Sequence, residues 1–116
     1  MFTELKAGDR TYQLRLTTQG AVKLEKTLGA NPLQMFMGID EDVLPKISDM
    51  LTVLHQMLQP LNHGISIDDT YDIFDAFIKD GHTMWDIVPV IISAFEDAGF
   101  LPKGEGEDQK NAMARE

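Results

Sequence analysis

Residues 62–100 most constrain what this chain can fold into, because they carry the start and stop signals of two consecutive helices. Ser66 and Thr83 are suited to cap the two helix starts, and each is followed three residues later by an aspartate. Gly81 and Gly99 are suited to end the helices, since the residue just past a helix end often adopts a positive φ. Because the connection between the helices is short, we expect them to pack antiparallel or to cross at a steep angle.

Each of these two helices has an apolar face, which we expect to be buried. On the first helix the apolar residues recur at intervals of four, three and four positions: Ile67, Tyr71, Phe74 and Ile78. On the second helix the apolar set is wider and is predicted to lie largely inside: Ile87, Val88, Ile91, Ile92 and Phe95. Pro89 falls about six residues into the second helix, where a proline predicts a kink near Trp85.

The N-terminal residues predict a β-hairpin. Residues 2–6 and 11–16 are the expected strands, with residues 7–10 as the turn. The apolar residues of the second strand recur at every second position, as in a half-buried strand: Tyr12, Leu14 and Leu16. A lone hairpin is only marginally stable in water, so we expect its apolar face to lie on the helices.

Three further helical segments are predicted between the hairpin and the C-terminal pair. The first spans about residues 17–28 and stops at a glycine. The second spans residues 32–37, because Asn31 is a suitable cap and Pro32 suits the first helical position. The third is a long amphipathic helix that Pro60 should end or kink. Its apolar positions are Ile47, Met50, Leu51, Leu54, Leu58 and Leu61.

These elements predict a mainly α fold, a small bundle of about four to five helices with a short N-terminal β-hairpin. We expect residues 1–102 to form a single helical domain, with the hairpin in residues 1–16. Residues 103–116 lack an apolar period and are predicted to be a flexible, disordered tail. We find no secretory signal and no apolar run near the ~20 residues of a membrane span, so we expect a soluble protein.

The net charge of −9 is concentrated in the C-terminal helix pair. Residues 62–100 contain eight acidic residues and one basic residue, Lys79. Direct binding to nucleic acid is not expected, because that affinity comes largely from lysine and arginine side chains that neutralise phosphates. Two interpretations of the acidic helix faces stay open. They keep the protein soluble and its copies apart, or they dock a basic partner.

The residue types of metal and catalytic sites occur without the spacing that such sites require. The chain has no cysteine, which excludes disulfides and thiolate ligands. Asp68, Asp72 and Asp75 fall in one sector of a straight helix, which cannot wrap around an ion as a hard cation requires. The histidines lie on different predicted elements: His55, His63 and His82. No nucleophile stands beside a base, so we predict neither an enzyme nor a bound metal or cofactor.

Methionine and aromatic side chains near the surface are the best candidates for a partner-binding site. Methionine adapts its shape and is frequent on surfaces that accept varied partners. Met35, Phe36 and Met37 are consecutive, so they cannot all point inwards from one short helix. An exposed apolar patch there would indicate a binding site. The predicted partner-binding residues are Met35, Phe36, Met37, Met57 and Trp85.

The chain presents its segments in a distinctive order. A short hairpin leads into YQLRLTTQGAVKLEKTLGANPL, followed by LPKISDMLTVLHQMLQPLNHGISIDDTYDIFDAFIKDG and a last helix ending in AFEDAGF. This order resembles the tail assembly chaperones of long-tailed bacteriophages and of prophages in Gram-positive bacteria. The likeness covers about residues 10–101 and is most telling in residues 14–29 and 54–72. The shared patterns are structural, and the family has no catalytic residues to carry over.

The resemblance implies a small helical protein that coats the tape measure protein while the tail tube polymerises around it. It implies many copies along each client, and therefore a homo-oligomer. Many such chaperones also have a longer form, made by ribosomal frameshifting, that recruits the tail tube protein. The implied location is the cytoplasm of the bacterial host and not the mature virion. Two alternatives stay open: a structural or adaptor component of the tail, and a small regulatory protein-binding domain, which the missing basic helix disfavours.

Overall fold

Five helices and a two-stranded antiparallel sheet form the part of the protein that the computed structural model describes, residues 3–37 and 44–102. In chain order the elements are β1 (Thr3–Ala7), β2 (Arg10–Leu14), α1 (Thr18–Leu28), α2 (Pro32–Met37), α3 (Ile47–Leu58), α4 (Ile67–Lys79) and α5 (Met84–Asp97). The predicted mainly helical fold with an N-terminal hairpin is therefore confirmed. The predicted flexible tail, residues 103–116, lies outside the described residues.

The hairpin closes through a tight two-residue turn that begins at Gly8. Ala7 pairs with Arg10 beside the turn, and Thr3 pairs with Leu14 at the open end. Gly8 has a φ of 65°, which glycine adopts without the steric cost of a Cβ. Glycine at the first turn position is the arrangement of the type II′ turns that close tight hairpins.

Strand β2 ends at Leu14, two residues earlier than predicted. The N–H of Arg15 donates to the carbonyl of Met57 in α3, at 2.9 Å, instead of continuing the strand. Asn62 adds a second link, because its side-chain amide donates to the carbonyl of Gln13 at 2.7 Å. The chain that leaves β2 is therefore held by the end of α3 rather than by β1.

One apolar core lies between the inner face of the hairpin and the helices. Helix α3 contributes six buried residues and packs against α1, α4, α5 and β2, so it is the central helix of the fold. Helices α4 and α5 both pack against β1 as well. The largest fully buried apolar side chains are Leu5, Leu14, Leu24, Met50, Leu54, Met57, Leu58, Ile87, Ile91 and Phe95.

The starts of α4 and α5 follow the predicted capping residues. At α4, the side-chain oxygen of Ser66 accepts from the N–H of Asp69, and the Asp69 carboxylate accepts from the N–H of Ser66. At α5, Thr83 and Asp86 form the same reciprocal capping box. Each box satisfies N–H groups that a helix start leaves without an intrahelical partner. Both predicted helix starts are therefore confirmed.

Pro60 and Pro89, which were predicted to end or kink helices, have different effects. Helix α3 ends at Leu58, so Pro60 lies beyond its last turn. Leu61 was predicted to belong to this helix, but it lies outside it. Helix α5, by contrast, runs without a break although Pro89 lies inside it. Pro89 is exposed, so water can satisfy the carbonyl that its missing N–H leaves free.

Candidate protein-binding surface on helix α4

The face of α4 that the structure buries is not the face that the sequence predicts. The buried residues are Thr70, Ile73 and Phe77, and α4 packs against α3 and β1. The four residues predicted to be buried, which we call the apolar stripe, are Ile67, Tyr71, Phe74 and Ile78. Tyr71 is 45% exposed and Ile78 is 37% exposed, and the other two are half-buried. The predicted burial is therefore wrong for Tyr71 and Ile78.

Thr70 takes a buried position in α4 because its hydroxyl is satisfied locally. The Oγ1 of Thr70 donates to the carbonyl of Ser66 at 3.0 Å, so burial leaves no unpaired polar atom on this side chain. Together with Ile73 and Phe77 it forms a second face with helical spacing. Because two faces of α4 satisfy the helical period, periodicity alone does not decide which of them is buried.

A row of carboxylates runs beside the apolar stripe. We call Asp68, Asp72 and Asp75 the acidic row, and all three side chains are exposed. At 3.6 residues per turn, the row lies about 100° around the helix from the stripe, on the side away from the buried face. Lys79, at the end of α4, lies on the same side of the helix as the acidic row. The surface of α4 therefore passes from the buried face through the apolar stripe to the acidic row.

The carboxylates of the acidic row form no ion pair in the described part of the chain. Elsewhere on the surface, an ion pair joins His82 and Asp86 at 3.7 Å. The neighbouring Asp69 is different, because it belongs to the capping box. Hydrogen bonds from the backbone and then the side chain of Ser66 hold the pKa of Asp69 below its ordinary value. The row therefore presents unpaired negative charge to a partner.

Side chains in α3 and just after its last residue hold the segment that precedes α4. The Nε2 of Gln59 donates to the carbonyl of Ile65 at 2.7 Å, and the Nε2 of His55 lies 3.1 Å from the same oxygen. His55 is half-buried. These contacts fix the start of α4 relative to α3, and they therefore set the direction in which the apolar stripe faces.

His82 packs at the junction between α4 and α5. Its ring stacks on the ring of Phe77, with centroids 4.3 Å apart and 14° between the planes. Its Nδ1 lies 3.7 Å from the carboxylate of Asp86 in the first turn of α5. In residues 3–37 and 44–102, no group of three histidine, cysteine or acidic residues is placed to hold a metal ion. His82 therefore has a packing role at the helix junction.

A cleft of about 560 Å³ extends the acidic side of α4 towards the hairpin. Asp69 and Asp72 line it from α4, and Arg10 and Tyr12 line it from β2. The guanidinium of Arg10 lies over the Tyr12 ring, 5.1 Å from its centroid. The acidic row is therefore bordered on one side by the apolar stripe and on the other by a concave, mixed-charge wall.

The residues predicted to bind a partner are divided between the surface and the core. Met37 is 59% exposed and Trp85 is 44% exposed, while Met35 is half-buried. Phe36 is 2% exposed, because its ring packs 5.9 Å from the ring of a phenylalanine in α5. Met57 is fully buried in α3. The prediction is therefore corrected for Phe36 and Met57, whose side chains belong to the core and are not available to a partner.

Sequence reasoning missed the apolar stripe as a candidate surface, because it assigned the stripe to the core. A signal for the correct assignment was present in the second face formed by Thr70, Ile73 and Phe77. A helix with two apolar faces leaves one of them partly exposed unless neighbours cover both.

Among the described helices, none is long and apolar enough to cross a membrane.

The chain was compared with known protein families, curated proteins and solved structures. Residues 2–116 match the family described as Family of unknown function (DUF6096). No curated protein matches the chain, and no solved structure matches it. The surface of α4 is therefore interpreted from its own chemistry.

Proposed function

We propose, for a chain that belongs to the DUF6096 family, that it is an assembly chaperone that holds a helical protein client along α4. The proposed client is the tape measure protein of a long-tailed bacteriophage, as the sequence resemblance implies. Several copies cover one client and keep it from aggregating until the tail tube encloses it. The binding involves no nucleotide and no chemical step.

The observation that carries this proposal is the exposed apolar stripe beside the acidic row. Adjoining exposed apolar residues with a polar border mark interaction sites on soluble domains. An amphipathic helix docks on such a surface through apolar residues spaced by three and four positions. Basic side chains on the flank of that helix would then face Asp68, Asp72 and Asp75. The proposed client segment is therefore a helix with one apolar side and a basic border.

The mixed character of the surface suits a chaperone that has to release its client. Tyr71 and Phe74 supply rigid aromatic contact area. The exposed carboxylates act only at short range, because charges in water are screened beyond ~8 Å at physiological ionic strength. Each copy therefore binds modestly, and the polymerising tail tube can displace it. The same negative charge keeps unbound copies soluble.

Further parts of the proposal follow from the resemblance. The protein acts in the cytoplasm of the bacterial host and is left out of the mature virion. A longer product, made by ribosomal frameshifting, brings the tail tube protein to the coated client. The alternative is a structural or adaptor component of the tail, which would remain in finished particles.

Co-expression with the tape measure protein from the same genome tests the proposal. We expect the client to stay soluble with this protein and to aggregate without it. Asp substitutions at Tyr71 and Ile78 should return the client to the insoluble fraction, because they place charge inside the apolar contact. Val22→Asp is the matched control, since Val22 is 45% exposed on α1, outside the apolar stripe.

The proposal fails if the client is equally insoluble with and without this protein. It also fails if the stripe variant, shown to be folded by circular dichroism, protects the client as well as the Val22→Asp control. Purified virions that contain this chain at fixed stoichiometry would favour the structural component instead.

A further inference from the structure

The fold holds one edge of the hairpin at the end away from the turn, and in the described part of the chain it leaves the outward backbone groups of the other edge without a bond. In a tight antiparallel hairpin the pair beside the turn, here Ala7 and Arg10, exchanges backbone hydrogen bonds, and so does every second pair after it. Glu4 and Lys6 belong to the intervening pairs, so their N–H and C=O groups point away from β2. On β2 the backbone groups of Thr11 and Gln13 point outwards in the same way.

At the end away from the turn, the outer edge of β2 is held by α3 and the segment after it. The carbonyl of Gln13 accepts from Asn62 at 2.7 Å, and the N–H of Arg15 donates to the last turn of α3 at 2.9 Å. Along β1, the outward groups of Glu4 and Lys6 bond to no residue in the described part of the chain. Buried backbone groups are almost always paired, so this edge faces water, as both side chains do.

We propose that β1 pairs with β1 of a second copy of this chain, antiparallel and centred on Leu5. In this register Glu4 lies opposite Lys6 of the partner subunit, and Lys6 lies opposite Glu4 of the partner subunit. Both pairs consist of residues with outward backbone groups, so each pair exchanges hydrogen bonds across the interface. The two hairpins become one continuous sheet with a twofold axis at Leu5.

The charges on β1 select both the second copy and this register. A shift of two residues in one direction places Glu4 opposite Glu4 of the partner subunit, and the reverse shift places Lys6 opposite Lys6 of the partner subunit. A shift of one residue turns the apolar side of one strand to the outer face of the joined sheet. Lysine on an open edge ordinarily opposes pairing. Here the acidic residue two positions earlier makes self-pairing attractive in one register.

This interface goes beyond the proposed function and does not depend on it. The edge of β1 shares no residue with the apolar stripe, so a dimer formed through β1 leaves α4 free for a client. The pairing is measured on the purified chain alone. If the purified chain does not dimerise, the client-binding proposal therefore still stands. If the client is not protected, the proposed dimer likewise still stands.

Sedimentation equilibrium of the purified full chain over a dilution series tests the pairing. The unsubstituted protein should dimerise reversibly. Glu4→Lys and Lys6→Glu each turn both cross-strand pairs into like charges, and each should weaken dimerisation by about tenfold or more. An equimolar mixture of the two variants should recover dimerisation, because every cross-strand pair in the mixed dimer again joins opposite charges. Lys23→Glu on the exposed face of α1 is the control, since it makes the same change in net charge as Lys6→Glu.

Recovery of dimerisation in the mixture would show that the charge pairs between the two β1 strands cause the loss in each variant, because variants that fail to fold would not recover on mixing. The proposal is overturned if the unsubstituted protein stays monomeric throughout the series. It is also overturned if the single variants dimerise as well as the unsubstituted protein, or if the mixture dimerises no better than either variant alone.

Discussion

Thr70 and Tyr71 are neighbours in sequence, yet the small polar residue is fully buried and the large aromatic residue is 45% exposed. Successive residues of a helix point in directions about 100° apart. Thr70 lies on the side that packs against α3 and β1, and its hydroxyl donates to the carbonyl of Ser66. At the scale of single residues, direction therefore decides burial here more than hydrophobicity does.

The buried face of α4 can be tested with two alanine substitutions. Ile73→Ala should destabilise the protein by about 2–5 kcal/mol, because it empties a core site. Tyr71→Ala should lower the free energy of unfolding by about 1 kcal/mol or less, because its side chain is partly exposed. Equilibrium unfolding in urea measures both values. Equal losses would show that the apolar stripe packs as tightly as the buried face.

Asp69 makes the start of α4 sensitive to pH. Hydrogen bonds from the backbone and then the side chain of Ser66 hold its pKa below the ordinary value of 3.8. A carboxyl with a lower pKa in the folded protein stabilises the fold above the unfolded pKa. That contribution is lost as the pH falls through the folded pKa.

Asp69→Asn should therefore lower the melting temperature near neutral pH, and the difference should close as the pH falls below 3.8. Asp68→Asn is the control, because Asp68 lies in the same first turn but outside the capping box. Thermal unfolding followed by circular dichroism measures both variants. If the melting temperature of Asp69→Asn stays below that of the unsubstituted protein at the lowest pH measured, the capping role is contradicted.

At the scale of elements, the hairpin is held by helices from the far end of the chain. The hydroxyl of Thr3 donates to Asp97 at 2.6 Å and lies 3.0 Å from the hydroxyl of Ser93, both in α5. The N–H of Gly8 donates to the carboxylate of Asp80 at the end of α4, at 2.8 Å. A two-stranded hairpin is marginally stable by itself. Both ends of β1 are therefore fixed by contacts that only the folded chain provides.

The packing of the hairpin predicts a contrast between adjacent residues of β2. Leu14→Ala should destabilise the protein by about 2–5 kcal/mol, because Leu14 fills a core site. Gln13→Ala should change the free energy of unfolding by about 0.5 kcal/mol or less. The substitution removes only an exposed side chain, and the backbone carbonyl of residue 13 stays bonded to Asn62. The amide of Arg15 should exchange slowly, because it is bonded to α3. Fast exchange at Arg15 and throughout β2 would contradict this packing.

For the whole molecule, the balance of charge differs between two of the helices that pack against α3. Helix α3 packs against both α1 and α4. The exposed residues of α1 include Lys23, Glu25 and Lys26, whereas α4 carries the acidic row. The exposed carboxylates of α4 therefore form a negative surface, which would orient the approach of the proposed basic partner.

The folded part should not need the C-terminal residues. Ending the chain at Pro102 should leave the melting temperature nearly unchanged, because residues 103–116 have no apolar period to bury. Scanning calorimetry of the full and shortened chains measures the difference. A drop of more than about 5 °C, the scale of ~1 kcal/mol in a domain of this size, would show that these residues dock on the fold.

Local spacing in the sequence was enough to predict the helices, the hairpin and the helix starts. The capping pair of Ser66 and Asp69 and the pair of Thr83 and Asp86 were predictable, because each depends on hydrogen bonds between residues three positions apart. The hairpin was predictable for a similar reason, since its strands adjoin a short turn with a glycine. Local spacing was therefore enough to establish a mainly helical fold with an N-terminal hairpin.

The buried side of an element, by contrast, depends on how the elements pack together. On α4 it buried Thr70 and left Tyr71 exposed, which turned a predicted core stripe into the candidate binding surface. On α2 it placed Phe36 in the core and Met37 outside, although both were predicted to contact a partner. The reason is physical. Capping and turn formation depend on neighbours along the chain, whereas burial depends on contacts with distant residues, and a period of 3.6 admits more than one inward face.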